Sequence, residues 1–141
     1  MWLLDTCVLS ELSRPRPDAR VVAWIDRHAN ASWLAAVTLG ELSFGVESMP
    51  VGARRNAMAH WFQEMRGHFN DKLLDTDPAI WLSYGRLKAS LESIGRRQDD
   101  LDLLIGATAL VHGLKLVTRN LRHFKDMGVP LLNPWDFDPS T

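Results

Sequence analysis

The sequence predicts an α/β fold, a five-stranded parallel sheet with helices on both faces. Three features predict it: short apolar runs that each stop at a polar residue, stretches of helical period between those runs, and no repeat or low-complexity tract across 141 residues. Residues 2–4 run Trp-Leu-Leu into Asp5, and residues 32–35, 72–74, 114–117 and 129–132 supply the other four runs. Runs this apolar, rather than alternating, suit strands buried on both faces. Helical periodicity covers residues 18–29, 39–48, 53–69, 78–94 and 101–112. Asp77 before Pro78 marks a helix start, with the aspartate as cap and the proline in the first turn, where no N–H is needed. Arg14-Pro-Arg-Pro17 reads as a local turn or helix start, so one domain is expected over residues 1–141.

The stretch 53–69 places Met58, Trp61, Phe62, Met65 and Phe69 at steps of three and four, which makes one apolar stripe. Core packing explains such a stripe, and so does docking of a partner's helix or a second subunit.

Composition narrows the function classes. Hydrophobic residues make up 46% and charged residues 23%, the balance of a globular domain with one core. No apolar run approaches the roughly 20 residues needed to cross a bilayer. Met1-Trp-Leu-Leu lacks a basic leader and meets Asp5 at once, so no signal peptide is expected and the expected location is the cytoplasm. Cys7 is the single cysteine, which excludes an intramolecular disulfide and a cysteine-based zinc cluster. The net charge of −1 decides nothing about nucleic acid by itself. Arginines nevertheless cluster at Arg54-Arg55, at Arg96-Arg97 and at Arg119 with Arg122, and guanidinium forks match phosphate oxygens.

Three acids carry the candidate chemistry, and each has a structural alternative. Asp5 sits at the C-terminal end of a buried strand, where open α/β sheets place ligands, or it caps a helical turn beginning near Cys7. Glu41 points from a first helical turn toward the same rim, or it closes a capping box with Thr38. Asp102 lies at a helix start, where Asp99 and Asp102 also fit a cap and its partner. Carboxylates gathered on one rim raise one another's pKa unless a cation neutralises them. An oxygen-only donor set favours Mg²⁺, or Mn²⁺ in its place, and such ions serve phosphodiester hydrolysis. Thr118 and Asn120 follow the fourth strand and are expected to face Asp5 across the switch-point crevice, although both are also ordinary turn residues.

Five segments then align with one family: Leu4-Asp-Thr-Cys-Val-Leu-Ser-Glu11, Val37-Thr-Leu-Gly-Glu-Leu42, Asp102-Leu-Leu-Ile-Gly-Ala-Thr-Ala109, Leu116-Val-Thr-Arg-Asn120 and Asn133-Pro-Trp135. In this order they resemble PIN-domain proteins, and among them the VapC/FitB-like toxins. The resemblance implies a three-layer domain with sheet order 3-2-1-4-5. It implies a Mg²⁺- or Mn²⁺-dependent endoribonuclease, the toxin of a type II toxin-antitoxin pair. Such a toxin is a homodimer silenced by an antitoxin that fills its active-site groove, assembled as a heterotetramer or larger, and it reaches DNA only through the antitoxin. The family's core acids fall on Asp5, Glu41 and Asp102, and its site-lining threonine falls on Thr118. A further acid is usual two or five residues after that threonine, where this chain has Asn120 and His123. Cys7 stands where many members carry Asn.

Two other functions follow from the same residues. The missing fourth carboxylate suits a weakly active or inactive PIN subunit that works with its antitoxin as a DNA-binding regulatory complex. A receiver-like signalling domain would use Asp5, Asp75 and Thr118 after successive strands, but it needs an acid pair after its first strand and a lysine after its last, and the last run here leads into Asn133-Pro-Trp135.

Overall fold

All five apolar runs form strands, and the computed structural model describes residues 1–140. The strands are β1 (Trp2–Leu4), β2 (Ser32–Ala35), β3 (Leu73–Leu74), β4 (Lys115–Val117) and β5 (Leu131–Leu132). Every pairing is parallel and the order is β3-β2-β1-β4-β5. The chain therefore winds outward in one direction from β1 to β3, then returns to the other side of β1 as β4. That reversal puts the switch-point crevice beside the C-terminal end of β1.

Among the described residues, seven α-helices cover the sheet: α1 (Thr6–Leu12), α2 (Ala19–His28), α3 (Ala36–Glu47), α4 (Ala53–His68), α5 (Pro78–Ser93), α6 (Asp100–His112) and α7 (Leu121–Phe124). Successive side chains of β1 face opposite layers. Leu3 packs with Leu91, Leu103, Ile105 and Phe124 from α5, α6 and α7, whereas Leu4 packs with Val8, Val21, Trp24 and Met65 from α1, α2 and α4. Both leucines are fully buried, and each contributes about 1.5–3 kcal/mol over an exposed leucine. The layers are thus helix, sheet and helix, as the sequence predicts.

Local signals explain most helix ends. Asp18 caps α2 through the Arg20 amide, and Asp77 caps α5 by accepting from Ile80 N at 3.0 Å, with Pro78 in the first turn as expected. Gly113, at φ 64°, ends α6 in the left-handed conformation that favours glycine. The stripe on α4 is mostly core: Met65 is buried, and Trp61, Phe62 and Phe69 pack partly against the Leu4 layer. No helix among the described residues is long and apolar enough to cross a membrane.

Candidate active site

The site is built around the end of β1. Asp5 is the first residue past that strand, and its amide donates to Val117 O of β4 at 2.9 Å, which fixes its backbone between the two strands. Only 4% of Asp5 is exposed. Its two carboxylate oxygens have different tasks. Oδ1 accepts the Thr6 amide at 2.8 Å and so caps α1, while Oδ2 accepts the Thr118 hydroxyl at 2.7 Å. The capping role and the rim position therefore hold together. Thr118 is fully buried and also accepts the Asn120 amide at 2.9 Å, so the turn after β4 is bound to Asp5.

Glu41 and Asp102 share a cavity of about 450 Å³ with Asp5, and Thr6, Cys7, Asn120 and His123 line it with them. The expected capping box is absent. Helix α3 begins at Ala36, two residues before Thr38, because Ala35 takes the cap position at the end of β2. Thr38 is consequently buried inside the helix and Glu41 lies in the second turn rather than the first. Glu41 Oε1 accepts the Thr6 hydroxyl at 2.6 Å instead. The Asp99 side chain makes no capping bond either, and Asp102 Oδ2 accepts from His123 Nδ1 at 3.0 Å.

The electrostatics follow from this crowding. Burial raises the Glu41 carboxyl above its usual range, the Thr6 hydroxyl partly opposes the rise, and the charges of Asp5, Asp102 and Asp99 add to it. Burial and the charge of Asp5 raise Asp102, against the lowering effect of His123. Burial, followed by the charge of Asp5, pushes the Cys7 thiol up to about 12, so it stays protonated and donates to Asp5 Oδ2 at 3.4 Å. A thiol in that state is neither a nucleophile nor a thiolate ligand.

The oxygen donors and the surplus negative charge fit a hard divalent cation. As the side chains are turned, no three His, Cys, Asp or Glu groups among the described residues are gathered closely enough to hold one. Glu41 bonds Thr6 through Oε1 and Asp102 bonds His123 through Oδ2, so bringing the three carboxylates onto one ion requires these side chains to move together.

Several lining residues escape a reading of acids alone. Thr6 orients Glu41, His123 orients Asp102, and Arg119 stacks over the Trp135 ring at 5.0 Å on the rim. Glu11, buried at 6% exposure, lines the cavity and accepts the Asp18 amide at 2.9 Å. Asn133-Pro-Trp135 is the signal for Trp135, and Thr6 and Glu11 are marked only as members of the segment Leu4-Asp-Thr-Cys-Val-Leu-Ser-Glu11, which assigns them no task. Among the arginine clusters, Arg55 pairs with Glu47 and Arg96 with Asp126, which leaves them a structural part.

A five-stranded parallel sheet in this order with Asp5, Glu41 and Asp102 in one crevice beside its central strand defines a PIN-type architecture, and the PIN domain model matches residues 2–130. The chain belongs to the PIN-domain family. Within that family it stands with proteins named VapC and FitB. It is 36% identical over 138 residues to VapC ribonuclease Y4jK of Sinorhizobium fredii, covering 96% of this chain and 99% of the relative. It is 34% identical over 137 residues to Toxin FitB of Neisseria gonorrhoeae, covering 96% and 99%. A crystal structure of FitAcB from Neisseria gonorrhoeae superposes with TM-score 0.90 at 32% identity, over 97% of this chain and 100% of that one.

Proposed function

We propose that this protein is a Mg²⁺- or Mn²⁺-dependent endoribonuclease and the toxin of a VapBC-type pair, acting in the cytoplasm as a homodimer that a cognate antitoxin inhibits. One observation carries the reading: Asp5, Glu41 and Asp102, from three separate segments, line one cavity, where burial and then the charge of Asp5 raise the carboxyls of Glu41 and Asp102. Relatives named VapC ribonuclease and Toxin FitB support the same reading.

Asp5, Glu41 and Asp102 are the residues that would hold the ion, with Asn120 as a neutral oxygen donor nearby. The bound ion would polarise a phosphate oxygen and make a water a stronger nucleophile at neutral pH. The chain's own part is positioning. Thr118 fixes Asp5, Thr6 fixes Glu41, and His123 holds a proton at Nδ1 against Asp102. Arg14 and Arg119 stand on the rim, where guanidinium groups can take RNA phosphates. Cleavage of total RNA, with the cut ends mapped, tests this. Cutting should require Mg²⁺ or Mn²⁺ and should nearly vanish in Asp5→Asn, Glu41→Gln and Asp102→Asn. An Asp5→Asn protein that cuts as fast as the parent would sink the assignment.

The engagement of Asp102 by His123, together with the lack of a carboxylate at Asn120, favours one alternative. In it, the protein is a weak or inactive subunit that acts on DNA through its antitoxin. A protein that binds no Mn²⁺ and cuts no RNA, yet assembles with the antitoxin, would select that alternative.

A further inference from the structure

We infer that the groove between α1 and α4 carries the single-stranded RNA that enters or leaves the candidate active site, with Arg14 and Arg54 on its phosphates and an unpaired base on Trp61. The inference rests on the ribonuclease reading above. Ser10, Arg14, Met49, Arg54, Met58 and Trp61 line a cavity of about 360 Å³. Ser10 and Arg14 also line the cavity that holds Asp5, Glu41 and Asp102, so the two cavities adjoin at these side chains. A strand bound at the acids and extending past Arg14 would meet this partly apolar cavity next.

The side chains along that path suit a polyanion with exposed bases. The Arg14 side chain is 68% exposed and meets a carboxylate only at 3.6 Å, on Glu11, whose other oxygen is already held by the Asp18 amide. No carboxylate among the described residues lies within ion-pair distance of Arg54, whereas its neighbour Arg55 pairs with Glu47 at 2.7 Å. Arg54 also sits in the first turn of α4, the end at which a helix dipole disfavours cations, so helix stability does not account for it. Trp61 is only partly buried, and together with Met58 it lines the same cavity as the two arginines. Cationic side chains alternating with an aromatic ring form the usual arrangement for single strands without regular pairing.

Binding of an unstructured oligouridine to the full-length chain, in an Asp5→Asn background that prevents cleavage, tests the assignment across a salt series. The double variant Arg14→Ala/Arg54→Ala should weaken binding about tenfold or more and flatten the plot of log Kd against log salt by roughly 0.7 per arginine. Trp61→Ala should weaken binding by at least about fivefold with the slope unchanged, and Trp61→Phe, which keeps the ring and the packing, should recover most of the loss. Affinity and slope within twofold of the background protein would overturn the groove while leaving the nuclease reading in place. Substitutions that loosen only the antitoxin would also overturn it and assign the groove to a protein segment. If the background protein binds no RNA and the parent cuts none, the failure lies in the nuclease reading itself.

Discussion

Thr118 is the residue on which the geometry around Asp5 depends most directly, and replacing it with valine isolates that dependence. Valine keeps the shape of threonine but removes the hydroxyl that donates to Asp5 Oδ2 at 2.7 Å and accepts the Asn120 amide at 2.9 Å. Thr118 is 0% and Asp5 4% exposed, so water cannot replace the lost donor without opening the crevice. A hydrogen bond to a charged group contributes about 1.5–3 kcal/mol, and a buried acceptor left short of a partner costs about 1–3 kcal/mol. Asp5 would retain the Thr6 amide and the weak Cys7 thiol, and the exposed Asn120 would find water. A net loss of about 2–3 kcal/mol follows, which for a chain of this length lowers Tm by roughly 6–12 °C. Urea unfolding reads it as a shifted midpoint with an unchanged m-value. Thr118→Ser, which keeps the hydroxyl and gives up one methyl, should cost only about 1 kcal/mol. The reasoning is refuted if Thr118→Val unfolds within about 0.5 kcal/mol of the parent, or if serine costs as much as valine.

Three further outcomes follow. Because burial and neighbouring charges raise Glu41 in the folded state, stability is fully present below the ordinary carboxylate range and is lost as pH rises through the raised folded value. Glu41→Gln, still able to accept from Thr6, should therefore melt higher than the ion-free parent at neutral pH, and the gap should close on acidification; an equal or lower Tm at neutral pH would contradict this. Removing the Asp77 cap with Asp77→Ala frees the Ile80 amide, and urea denaturation should show a loss of about 1 kcal/mol. Gly113→Ala forces a Cβ into φ 64°, which should cost about 1–2 kcal/mol in the same assay; a neutral result there would mean that α6 ends differently.

The strands were legible because a run buried on both faces is mostly apolar, with the exposed Lys115 at the start of β4 an exception, and Leu3 and Leu4, facing opposite layers, show why alternation is missing. Strands β3 and β5 are nonetheless shorter than their apolar runs: Lys72 belongs to a single 3-10 turn, and Val129 packs into the core before the pairing of Leu131 begins. Helix α1 spans seven residues, too few to repeat an apolar period, and its sequence Thr-Cys-Val-Leu-Ser-Glu-Leu reads equally as an extension of β1. The Asp5 side chain, by capping it, decides the matter. Thr38 and Glu41 misled for a different reason. Their spacing satisfies a capping box, but the end of β2 at Ala35 sets the start of α3, so the pairing partner of Glu41 comes from α1, 35 positions away. Local signals located the three acids, and the end of the fourth strand placed Thr118 opposite Asp5; the Thr6 hydroxyl on Glu41 and the His123 imidazole on Asp102 arise from tertiary packing, which spacing along one chain does not encode. The chemistry of Asp5, Glu41 and Asp102 as cation ligands came from charge and from the family resemblance, and the sheet order accounts for how segments so distant meet.

Calorimetric titration of the metal-free protein with Mn²⁺ tests that cation claim most directly. The parent should bind Mn²⁺ saturably, with affinity weakened at least about tenfold in Asp102→Asn and in Asp5→Asn. An absence of binding to the parent, or equal affinity in parent and Asp5→Asn, would contradict it.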